Sequence, residues 1–546
     1  MTKLVSVAEM QAIEREANAG GLTYELMMEN AGSGLADVVA DTCAEIKEGG
    51  VLGLVGSGNN GGDTLVALSR LATQGWRASA YLVKPRPEDD PLVTRLVEAG
   101  GILYQAEDDA EYQQLDTLLE SYSVLLDGVL GTGVSLPLKG KVAEVLDHTL
   151  HSLGEMEAPP FVVAVDCPSG VNNDTGEAAE ECLPADLTVT MAAVKKGLLA
   201  FPAYELVGDL QVIDIGLPEG GEGITAWREV KHSVPSGEDI AAILPERPLD
   251  AHKGTFGTAM IIAGSTNFTG AALLAGKAAY RSGAGLVTLG VPTPLHTALA
   301  GQLPEATWLI LPDEMGVIAE EAAGIVQKNL ERVTAMLIGP GFGMEETTAA
   351  FLSRLIKPGG LHAKAGIGFM RANSGEEKDA RVNLPSLVVD ADGLKLMAQI
   401  EGWADQLPSE AVLTPHPGEM AILTGLKIAD IQADRMGIAT RFSREWGHVV
   451  VLKGAFSVVA APDGKAAVIP VATPALARAG TGDVLSGLIA GLRAQGVPAY
   501  ESALAGAWIH AQAGLQAAAY LGSSAAVLAG DVLEAIVDVL AEMEDA

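Results

Sequence analysis

Aspartates stand directly after short apolar runs at two places in the first half of the chain. Asp127 follows the run Val124–Leu126, and Asp166 follows the run Phe161–Val165. A carboxylate at such a position can transfer a proton or bind a cation when a ligand lies over the strand end. Taken singly, each aspartate is more simply explained as a turn former. Because glycine-rich polar loops follow both of them, the combination favours a functional site.

A third polar loop, Val51 to Asp63 (VLGLVGSGNNGGD), contains glycines in the GxGxxG spacing of dinucleotide-binding folds. The next apolar run, Ala78–Val83, is followed by Lys84 and not by the acidic residue that would hold a ribose. The amides and the carboxylate of NNGGD therefore predict a substrate or ion site at a helix N-terminus, and not hydride transfer. A tight turn is the alternative, and it explains the glycines but not NNGGD.

A glycine-rich segment in the second half, Gly480 to Asp483, opens an amphipathic stretch. Backbone N–H groups at the start of a helix point toward an incoming phosphate, and the helix dipole favours its negative charge. Asp483 at this position could accept a proton from an attacking hydroxyl group. For this segment alone, an ordinary N-cap is the alternative interpretation.

Alternating apolar runs and amphipathic stretches predict the elements that position these residues. The predicted strands include Val51–Val55, Val124–Leu126, Phe161–Val165, Thr258–Ala263, Ala335–Ile338, Leu387–Val389 and His448–Leu452, and the predicted helices include Thr64–Thr73 and Ala271–Arg281. This alternation predicts an α/β fold, with parallel sheets covered by helices on both faces. Loops at the carboxyl ends of parallel strands meet in one crevice, so the polar loops are expected to lie together.

The chain of 546 residues is long enough for two or more domains. Residues 218–248 carry Gly, Pro and charge with little periodicity, and they are predicted to link a domain at 1–217 to a domain at 249–546. The polar stretch from Leu361 to Pro385 is longer than a usual connection. It is predicted to be a solvent-exposed insertion outside both sites.

Composition excludes several classes of protein. The formal net charge of -35 argues against binding to nucleic acid or to anionic membranes. Cys43, Cys167 and Cys182 have neither metal-ligand spacing nor the number needed for a disulfide framework. The N-terminus does not read as a signal peptide, and Ala503 to Ala519 predicts a buried Ala-rich helix and not a membrane span. We therefore expect a soluble, reduced, cytoplasmic protein.

The first-half motifs NNGGD, DGVLGTG and VDCPSGVNNDTG, together with MMENAG at Met27 to Gly32, resemble the NAD(P)H-hydrate epimerase domain over roughly residues 1–217. The resemblance implies a Rossmann-like three-layer fold that binds a hydrated nicotinamide dinucleotide and a potassium ion. Asp166 would be the acid/base at the hydrated ring, and Lys195 or its neighbour Lys196 would match a family lysine. The implied potassium ligands are Asn60, Asp127 and Ser169. The implied dinucleotide contacts are Asn59, Asn60, Gly61, Gly62, Asp63, Gly131, Thr132, Gly133, Val134, Ser135, Leu136, Pro137 and Asp166.

The second-half motifs HKGTFGTAMIIAGS, LIGPGFG, VVDADGL, LTPHPGEM, KGAFSVV and AGTGD occur in an order that resembles the ADP- or ATP-dependent NAD(P)H-hydrate dehydratases, which are ribokinase-like α/β proteins. The match covers roughly residues 245–540. The implied nucleotide contacts are Lys453, Gly454, Ala455, Phe456, Ser457 and Gly482, and the implied hydrate contacts are Ala272, Gly341, His416 and Asp483. Magnesium is expected with the nucleotide. The chain departs from the family pattern at Ser457, where threonine is usual, and at Gly393, where alanine is usual. His416 could also be a satisfied core histidine.

Together the two resemblances imply a bifunctional repair enzyme. It would epimerise the R and S forms of NAD(P)H hydrate and dehydrate the S form with ADP or ATP, through phosphorylation of the C6 hydroxyl and loss of phosphate. The alternative is a ribokinase-like vitamin or sugar kinase with a non-catalytic, ligand-binding N-terminal domain. The presence of both Asp127 and Asp166 favours the first reading. The resemblance also implies small-molecule substrates and a homo-oligomer.

Overall fold

The computed structural model describes residues 1–357 and 384–545. Two compact units are present: one is formed by Thr2–His232 and the other by Met1 with Ser233–Ala546. The division falls inside residues 218–248, which contain a 3-10 helix, two short α-helices and a strand. The predicted insertion spans Leu361 to Pro385, and its residues 361–383 lie outside the described residues.

The first unit alternates strands and helices along most of its length. Its elements are β1 (Thr2–Val5), α1 (Val7–Ala19), α2 (Tyr24–Thr42), β2 (Val51–Val55), α3 (Asn59–Thr73), β3 (Ala78–Leu82), α4 (Pro91–Glu98), β4 (Ile102–Gln105), α5 (Gln113–Ser121), β5 (Val124–Gly128), α6 (Lys141–Glu155), β6 (Phe161–Val165), β7 (Leu187–Met191), β8 (Val194–Lys195), α7 (Tyr204–Val207), β9 (Asp209–Ile213) and α8 (Thr225–Glu229). Short 3-10 helices lie at Ala44–Gly49, Lys196–Leu199 and Glu219–Gly221.

The main sheet of the first unit is parallel and has the strand order β4-β3-β2-β5-β6-β7-β9. The order reverses direction between β2 and β5, which is the switch point where doubly wound folds bind their ligands. Val51 and Val55 pack in one core with α1, α2 and α3, whereas Leu52 and Leu54 pack in another core with α5 and α6. Helices therefore cover both faces, and the predicted Rossmann-like three-layer fold is confirmed.

The first element of the second unit is β10 (His232–Val234). Its first residue, His232, is still the last residue of the first unit. Its further elements are α9 (Gly237–Ala241), β11 (Thr258–Ile262), α10 (Gly270–Arg281), β12 (Leu286–Pro292), α11 (Thr293–Leu299), β13 (Thr307–Leu311), β14 (Asp313–Glu314), β15 (Val317–Ile318), α12 (Ala322–Lys328), β16 (Ala335–Ile338), α13 (Glu346–Ile356), β17 (Ser386–Val389), α14 (Asp392–Met397), α15 (Trp403–Gln406), β18 (Val412–Leu413), α16 (Pro417–Thr424), α17 (Ile428–Ala433), α18 (Arg435–Trp446), β19 (Val449–Leu452), β20 (Val458–Ala460), β21 (Ala466–Val468), α19 (Thr481–Ala494), α20 (Ala499–Leu521) and α21 (Ala529–Asp545). Two 3-10 helices lie at Pro474–Leu476 and Ser524–Ala526.

The sheet of the second unit runs in the order β13-β12-β11-β16-β17-β18-β19-β20-β21. It is parallel from β13 to β19, and the pairs β19–β20 and β20–β21 are antiparallel. Ile261 and Leu337 pack in a core with α10, α19 and α20, and Met260 and Ile338 pack in a core with α12, α13 and α14. The predicted α/β fold class is therefore confirmed in this unit as well.

Helix α3 runs from Asn59 to Thr73, so the helix N-terminus predicted at NNGGD is confirmed, and these residues form the first turns ahead of the amphipathic stretch Thr64–Thr73. Asparagine and glycine are poor helix formers, and tight packing against the strand ends explains their use here. A Cβ atom at Gly61 would lie 2.0 Å from the carbonyl oxygen of Gly56. A Cβ atom at Gly128, the last residue of β5, would lie 1.8 Å from Thr64 Oγ1. These glycines let the helix start sit directly on the ends of β2 and β5.

Cys43, Cys167 and Cys182 are free and buried. The stretch from Ala503 to Ala519 lies within α20, where most of its residues are buried, so the predicted buried Ala-rich helix is confirmed. In residues 1–357 and 384–545, no helix combines the length and the apolar character needed to cross a membrane.

Candidate active sites

A cavity of about 450 Å³ lies at the carboxyl ends of the central strands in the first unit. The segments after β2, β5 and β6 all reach it, which is the convergence expected from a parallel sheet. Helix α1 closes it with Met10, Gln11 and Glu14. The cavity brings together Asn59, Asn60, Asp63, Gly131, Thr132, Gly133 and Asp166 from the predicted set, and Lys84, Met191 and Lys195 besides.

Asp166 is held in place by contacts to one of its carboxylate oxygens. Its Oδ1 accepts hydrogen bonds from the Met191 backbone N–H at 3.0 Å and from Thr190 Oγ1 at 3.1 Å, and it forms an ion pair with Lys195 Nζ. The residue adopts a φ of 64°, a strained value for a side chain other than glycine. Because these contacts all use Oδ1, Oδ2 is the oxygen available to a ligand.

The structure distinguishes the two neighbouring lysines. Lys195 is only 1% exposed, and its ammonium group also donates to Thr190 Oγ1 and to the Met191 carbonyl, both at 3.0 Å. Lys196 Nζ instead lies 3.1 Å from Glu9 Oε2. Lys195 is therefore the lysine that belongs to the Asp166 site.

Two further carboxyl groups line this cavity. Burial raises the pKa of Asp63 well above its ordinary value, and the charges of Asp166 and Glu14 raise it further. Burial also raises the pKa of Glu14, while Lys195 acts in the opposite direction. Asp63 was predicted from the sequence, whereas Glu14 was not. A glutamate in an amphipathic helix such as α1 ordinarily faces solvent, so its sequence position gave no indication of a functional role.

The predicted potassium ligands lie close together beneath the cavity. Asp127 is fully buried; its Oδ2 accepts a hydrogen bond of 2.7 Å from the Ser169 backbone N–H, and its Oδ1 has no hydrogen-bond partner among the described residues. The Leu130 backbone N–H donates to Ser169 Oγ at 2.9 Å, and Asn60 Nδ2 donates to the Leu130 carbonyl at 2.9 Å. Burial raises the pKa of Asp127. A buried carboxylate oxygen that lacks a partner is costly, and oxygen ligands suit a hard cation, so these residues fit potassium.

Other predicted dinucleotide contacts lie away from the cavity wall. A Cβ atom at Gly62 would lie 2.7 Å from Met28 Sδ, so this glycine packs against α2. Gly61 packs against Gly56, as described above. Val134, Ser135, Leu136 and Pro137 continue the loop beyond the cavity-lining Gly133. Their assignment as ligand contacts stays a prediction.

A second cavity, of about 430 Å³, lies in the second unit at the N-terminus of α19. One part of its wall is apolar and contains Ile469, Val471, Leu476, Leu485, Ala507 and Ala511. Another part is polar and contains Lys453, Gly454, Ser457, Thr481 and Gly482, with the backbone of Ala455 between them. An apolar slot next to a polar helix start suits a nucleoside with its phosphates. Of the predicted nucleotide contacts, only Phe456 lies outside this wall; it is buried, and its backbone N–H donates to the Val471 carbonyl.

Asp483 lies in the first turn of α19, whose N-cap Gly480 adopts a φ of 92° and provides no side-chain cap. The Thr481 backbone N–H makes a long hydrogen bond of 3.5 Å to the Arg478 carbonyl, and the next N–H groups of the first turn, which have no intrahelical partner, can bind an anion here. Burial raises the pKa of Asp483 to about 7, with a further contribution from Asp390, while Lys453 opposes the shift. Such a carboxyl group can act as a base near neutral pH.

Lys453 connects the polar groups around Asp483. Its Nζ lies 2.6 Å from Asp390 Oδ1 and 3.8 Å from Glu419 Oε2. Burial would lower the pKa of Lys453, but the carboxylates of Asp390 and Glu419 outweigh it and raise the pKa. Asp390 was not predicted as a site residue. Its position directly after β17 could have indicated it, because Asp127 and Asp166 also stand at strand ends.

His416 is the N-cap of α16, and its Nδ1 accepts hydrogen bonds from the backbone N–H groups of Gly418 at 3.0 Å and Glu419 at 3.3 Å. Burial lowers its pKa, which favours the neutral ring. Its side chain is 52% exposed, so it is not a core histidine, and it lines the cavity beside Lys453. Nδ1 thus fixes the start of the helix, and Nε2 lies 3.3 Å from Glu419 Oε1.

Ala272, at the start of α10, and Gly341, shortly after β16, lie close to each other. Ala272 is fully buried in the first turn of α10, and a Cβ atom at Gly341 would lie 2.9 Å from the neighbouring Ala271 Cβ. Gly480 packs against the same helix, since its Cβ would lie 2.8 Å from Leu274 Cδ1. The starts of α10 and α19 are therefore adjacent.

Two α/β units, each with a cavity at its strand ends or helix start that polar and charged residues reach, define an enzyme with two candidate active sites. The family model of NAD(P)H-hydrate dehydratases matches residues 259–537, and the model of YjeF-related N-terminal domains matches residues 24–197. The bifunctional NAD(P)H-hydrate repair enzyme of Moorella thermoacetica is 34% identical over 99% of this chain and 97% of its own length. The enzyme of the same name from Salinibacter ruber is 35% identical over 92% of this chain and 90% of its own. The chain therefore belongs to the family of bifunctional NAD(P)H-hydrate repair enzymes.

Among solved structures, the ADP/ATP-dependent NAD(P)H-hydrate dehydratase from Bacillus subtilis, co-crystallised with ATP and Mg²⁺, is 28% identical and has a TM-score of 0.46. The similarity covers 57% of this chain and 98% of that one. A ribokinase-like superfamily protein from Enterococcus faecalis has 22% identity and a TM-score of 0.46.

Proposed function

We propose that the first unit epimerises the R and S forms of NAD(P)H hydrate at Asp166, and that the second unit dehydrates the S form at Asp483 with ADP or ATP. The observation that carries the proposal is a carboxyl group and a lysine at or directly beside each cavity: Asp166 pairs with the buried Lys195, and Asp483 follows the cavity-lining Gly482 and feels the charge of the half-buried Lys453. Membership in the repair-enzyme family supports nicotinamide hydrates as substrates over vitamins or sugars. We further expect a cytoplasmic homo-oligomer, as the resemblance implies.

Epimerisation requires the C6–O bond of the hydrated ring to break and to form again on the opposite face. The ring nitrogen can stabilise the intermediate cation, so the protein has to supply proton transfers and no redox cofactor. Asp166 presents its free Oδ2 to the cavity, while Lys195 and the Met191 N–H hold Oδ1. This arrangement places a fixed proton acceptor where the ring would lie.

Dehydration begins when Asp483 accepts the C6 hydroxyl proton and the oxygen attacks the terminal phosphorus of the nucleotide, whose bond to the bridging oxygen breaks and releases AMP from ADP or ADP from ATP. The C6–O bond then breaks to release phosphate, and the C5 proton passes to water, which restores the dihydronicotinamide. The N-terminus of α19 and Lys453 would stabilise the charge on the transferred phosphoryl group. Magnesium, when bound with the nucleotide, neutralises phosphate charge and is usually held by phosphates and one or two carboxylates.

The proposed function is tested by incubating the protein with hydrated NADH and ADP or ATP, and following the absorbance of reduced nicotinamide. We expect absorbance to return only when a nucleotide is present, and the faster of the two nucleotides identifies the cosubstrate. Absence of any nucleotide-dependent recovery in folded protein would refute the proposed dehydratase.

Potassium is proposed to bind at Asn60, Asp127 and Ser169 and to support epimerisation. These residues lie in three separate segments, so the ion would order the cavity floor and satisfy the lone Oδ1 of Asp127. Replacing potassium by lithium is expected to slow epimerisation, because the smaller ion does not fit ligands spaced for potassium. The rates are measured by chromatographic separation of the two epimers. Consumption of pure S hydrate with nucleotide is the control and should not change; epimerisation that is indifferent to the cation would contradict the assignment.

The pKa of Asp483, about 7 in the free enzyme, predicts the pH dependence of dehydration. The residue acts as a base only when deprotonated, so kcat/KM for the S hydrate should fall about tenfold for each pH unit below 7 and level off at higher pH. Initial rates across this range, taken before the substrate decomposes, provide the measurement. A flat profile below pH 7 would mean that another group takes the proton.

A further inference from the structure

We propose that Glu14 is the second proton-transferring residue of the epimerase cavity and acts together with Asp166. The inference rests on the proposed function of the first unit. Under this proposal α1 contributes a proton-transferring side chain and also packs against the sheet.

The position of Glu14 on α1 directs its carboxyl group into the cavity. Met10, Gln11 and Glu14 all line the cavity, and their spacing places them on one face of the helix. Ile13 and Ala17 of the same helix are buried in the core, which fixes α1 against the sheet. Glu14 itself is only partly buried, so part of its surface faces the ligand space.

Glu14 and Asp166 occupy different electrostatic environments within this cavity. The carboxylate of Asp166 is paired with Lys195 and accepts a backbone N–H, which stabilises its charge. Burial raises the pKa of Glu14, and the charge of Asp166 adds to this effect while Lys195 opposes it. Two carboxyl groups whose environments differ in this way can divide the acid and base roles.

Asp63 is the other carboxyl group of the cavity, and its pKa is raised too. It lies in the first turns of α3 and is 8% exposed, as little as Asp166, so a larger part of Glu14 than of either aspartate is exposed. Lys84 is the remaining charged residue of the cavity wall. The accessible acid in this set is therefore Glu14.

Inversion at C6 uses both groups. Glu14 donates its proton to the C6 hydroxyl, the C6–O bond breaks to release water, and the ring nitrogen's electron pair forms the C=N bond of an iminium ion. Water then adds to the opposite face, and Asp166 takes the proton that this water loses. Exchange of one proton with solvent returns both carboxyl groups to their starting forms, so the net change is inversion of the hydroxyl.

Glu14→Gln tests the proposal, because glutamine keeps the shape of the side chain but cannot donate this proton. We expect kcat for epimerisation to fall on the order of 100-fold, with KM nearly unchanged, as for loss of a general acid. In the wild-type protein the rate should also decline at high pH, when Glu14 is ionised, and this decline should be missing in Glu14→Gln. Glu14→Asp, which keeps the acid, should retain the decline.

Glu16→Gln is the matched control, since it makes the same change on α1 at an exposed residue outside the cavity wall. It should epimerise like the wild type. If the wild type does not epimerise at all, the proposed function fails; if it does and Glu14→Gln keeps both its rate and its pH profile, only the present inference is overturned. Loss of the high-pH decline in Asp63→Asn, and not in Glu14→Gln, would assign the acid to Asp63 and equally overturn it.

Discussion

Asp483→Asn is expected to reduce dehydration of the S hydrate on the order of 100- to 10,000-fold, the usual loss when a general base is removed. Asparagine keeps the size of the side chain and part of its hydrogen bonding, but it cannot accept the hydroxyl proton. Nucleotide binding should survive, because it is attributed mainly to backbone N–H groups at the start of α19 and to Lys453. The measurements are single-epimer kinetics for turnover and calorimetry with ADP or ATP for binding.

Stability provides a control for this variant. The folded protein raises the pKa of Asp483 to about 7, above that of an unfolded aspartate, so ionisation near neutral pH opposes folding. Removing the charge should therefore leave the unfolding temperature unchanged or slightly higher at pH 8. If Asp483→Asn keeps wild-type turnover in a folded protein, Asp483 is not the base.

Asp166→Asn is expected to have the opposite selectivity. The R hydrate should disappear only as fast as it epimerises spontaneously, whereas the S hydrate should be dehydrated at the wild-type rate. The physical reason is that the proton acceptor is lost in the first unit while the second unit keeps Asp483 and Lys453. Time courses of both epimers, separated by chromatography, measure the two effects in one experiment.

Asp166→Asn also leaves the Lys195 ammonium group buried without its carboxylate. Breaking a buried ion pair from one side typically costs about 3–5 kcal/mol, so folding of the first unit has to be checked by thermal unfolding. Asp166→Asn combined with Lys195→Met removes both charges and should recover much of this stability without restoring epimerisation. Recovery of epimerisation in the double variant would show that Asp166 is not the acid/base.

The strands were predictable because their apolar runs are short and end at polar residues. β2, β6 and β16 begin and end at the predicted residues. The convergence of the polar loops also followed from the sequence, since parallel strands place their carboxyl ends on one edge. The helix start at NNGGD was predicted from its glycine-rich turn, although periodicity alone indicated a helix only from Thr64, because asparagine and glycine have poor helix propensity and contacts with the strand ends outweigh it.

The candidate sites were predicted in part. Asp166 and Asp127 were identified from their positions after apolar runs, but Glu14 and Asp390 were not. Glu14 comes from a helix far from the loops in sequence, so only the folded chain brings it into the cavity. The distinction between Lys195 and Lys196 likewise depends on the folded backbone, because Lys195 ends β8 and contacts Asp166 whereas Lys196 begins a 3-10 helix and contacts Glu9.

We propose that each unit carries one complete active site and that the S hydrate passes between the two sites by diffusion. The most direct test mixes Asp166→Asn with Asp483→Asn, both folded, and follows an R and S hydrate mixture with nucleotide. The mixture should be repaired completely, because Asp483→Asn supplies epimerisation and Asp166→Asn supplies dehydration. If the mixed variants leave the R hydrate unrepaired, or if Asp166→Asn alone no longer dehydrates the S hydrate, two independent sites are excluded.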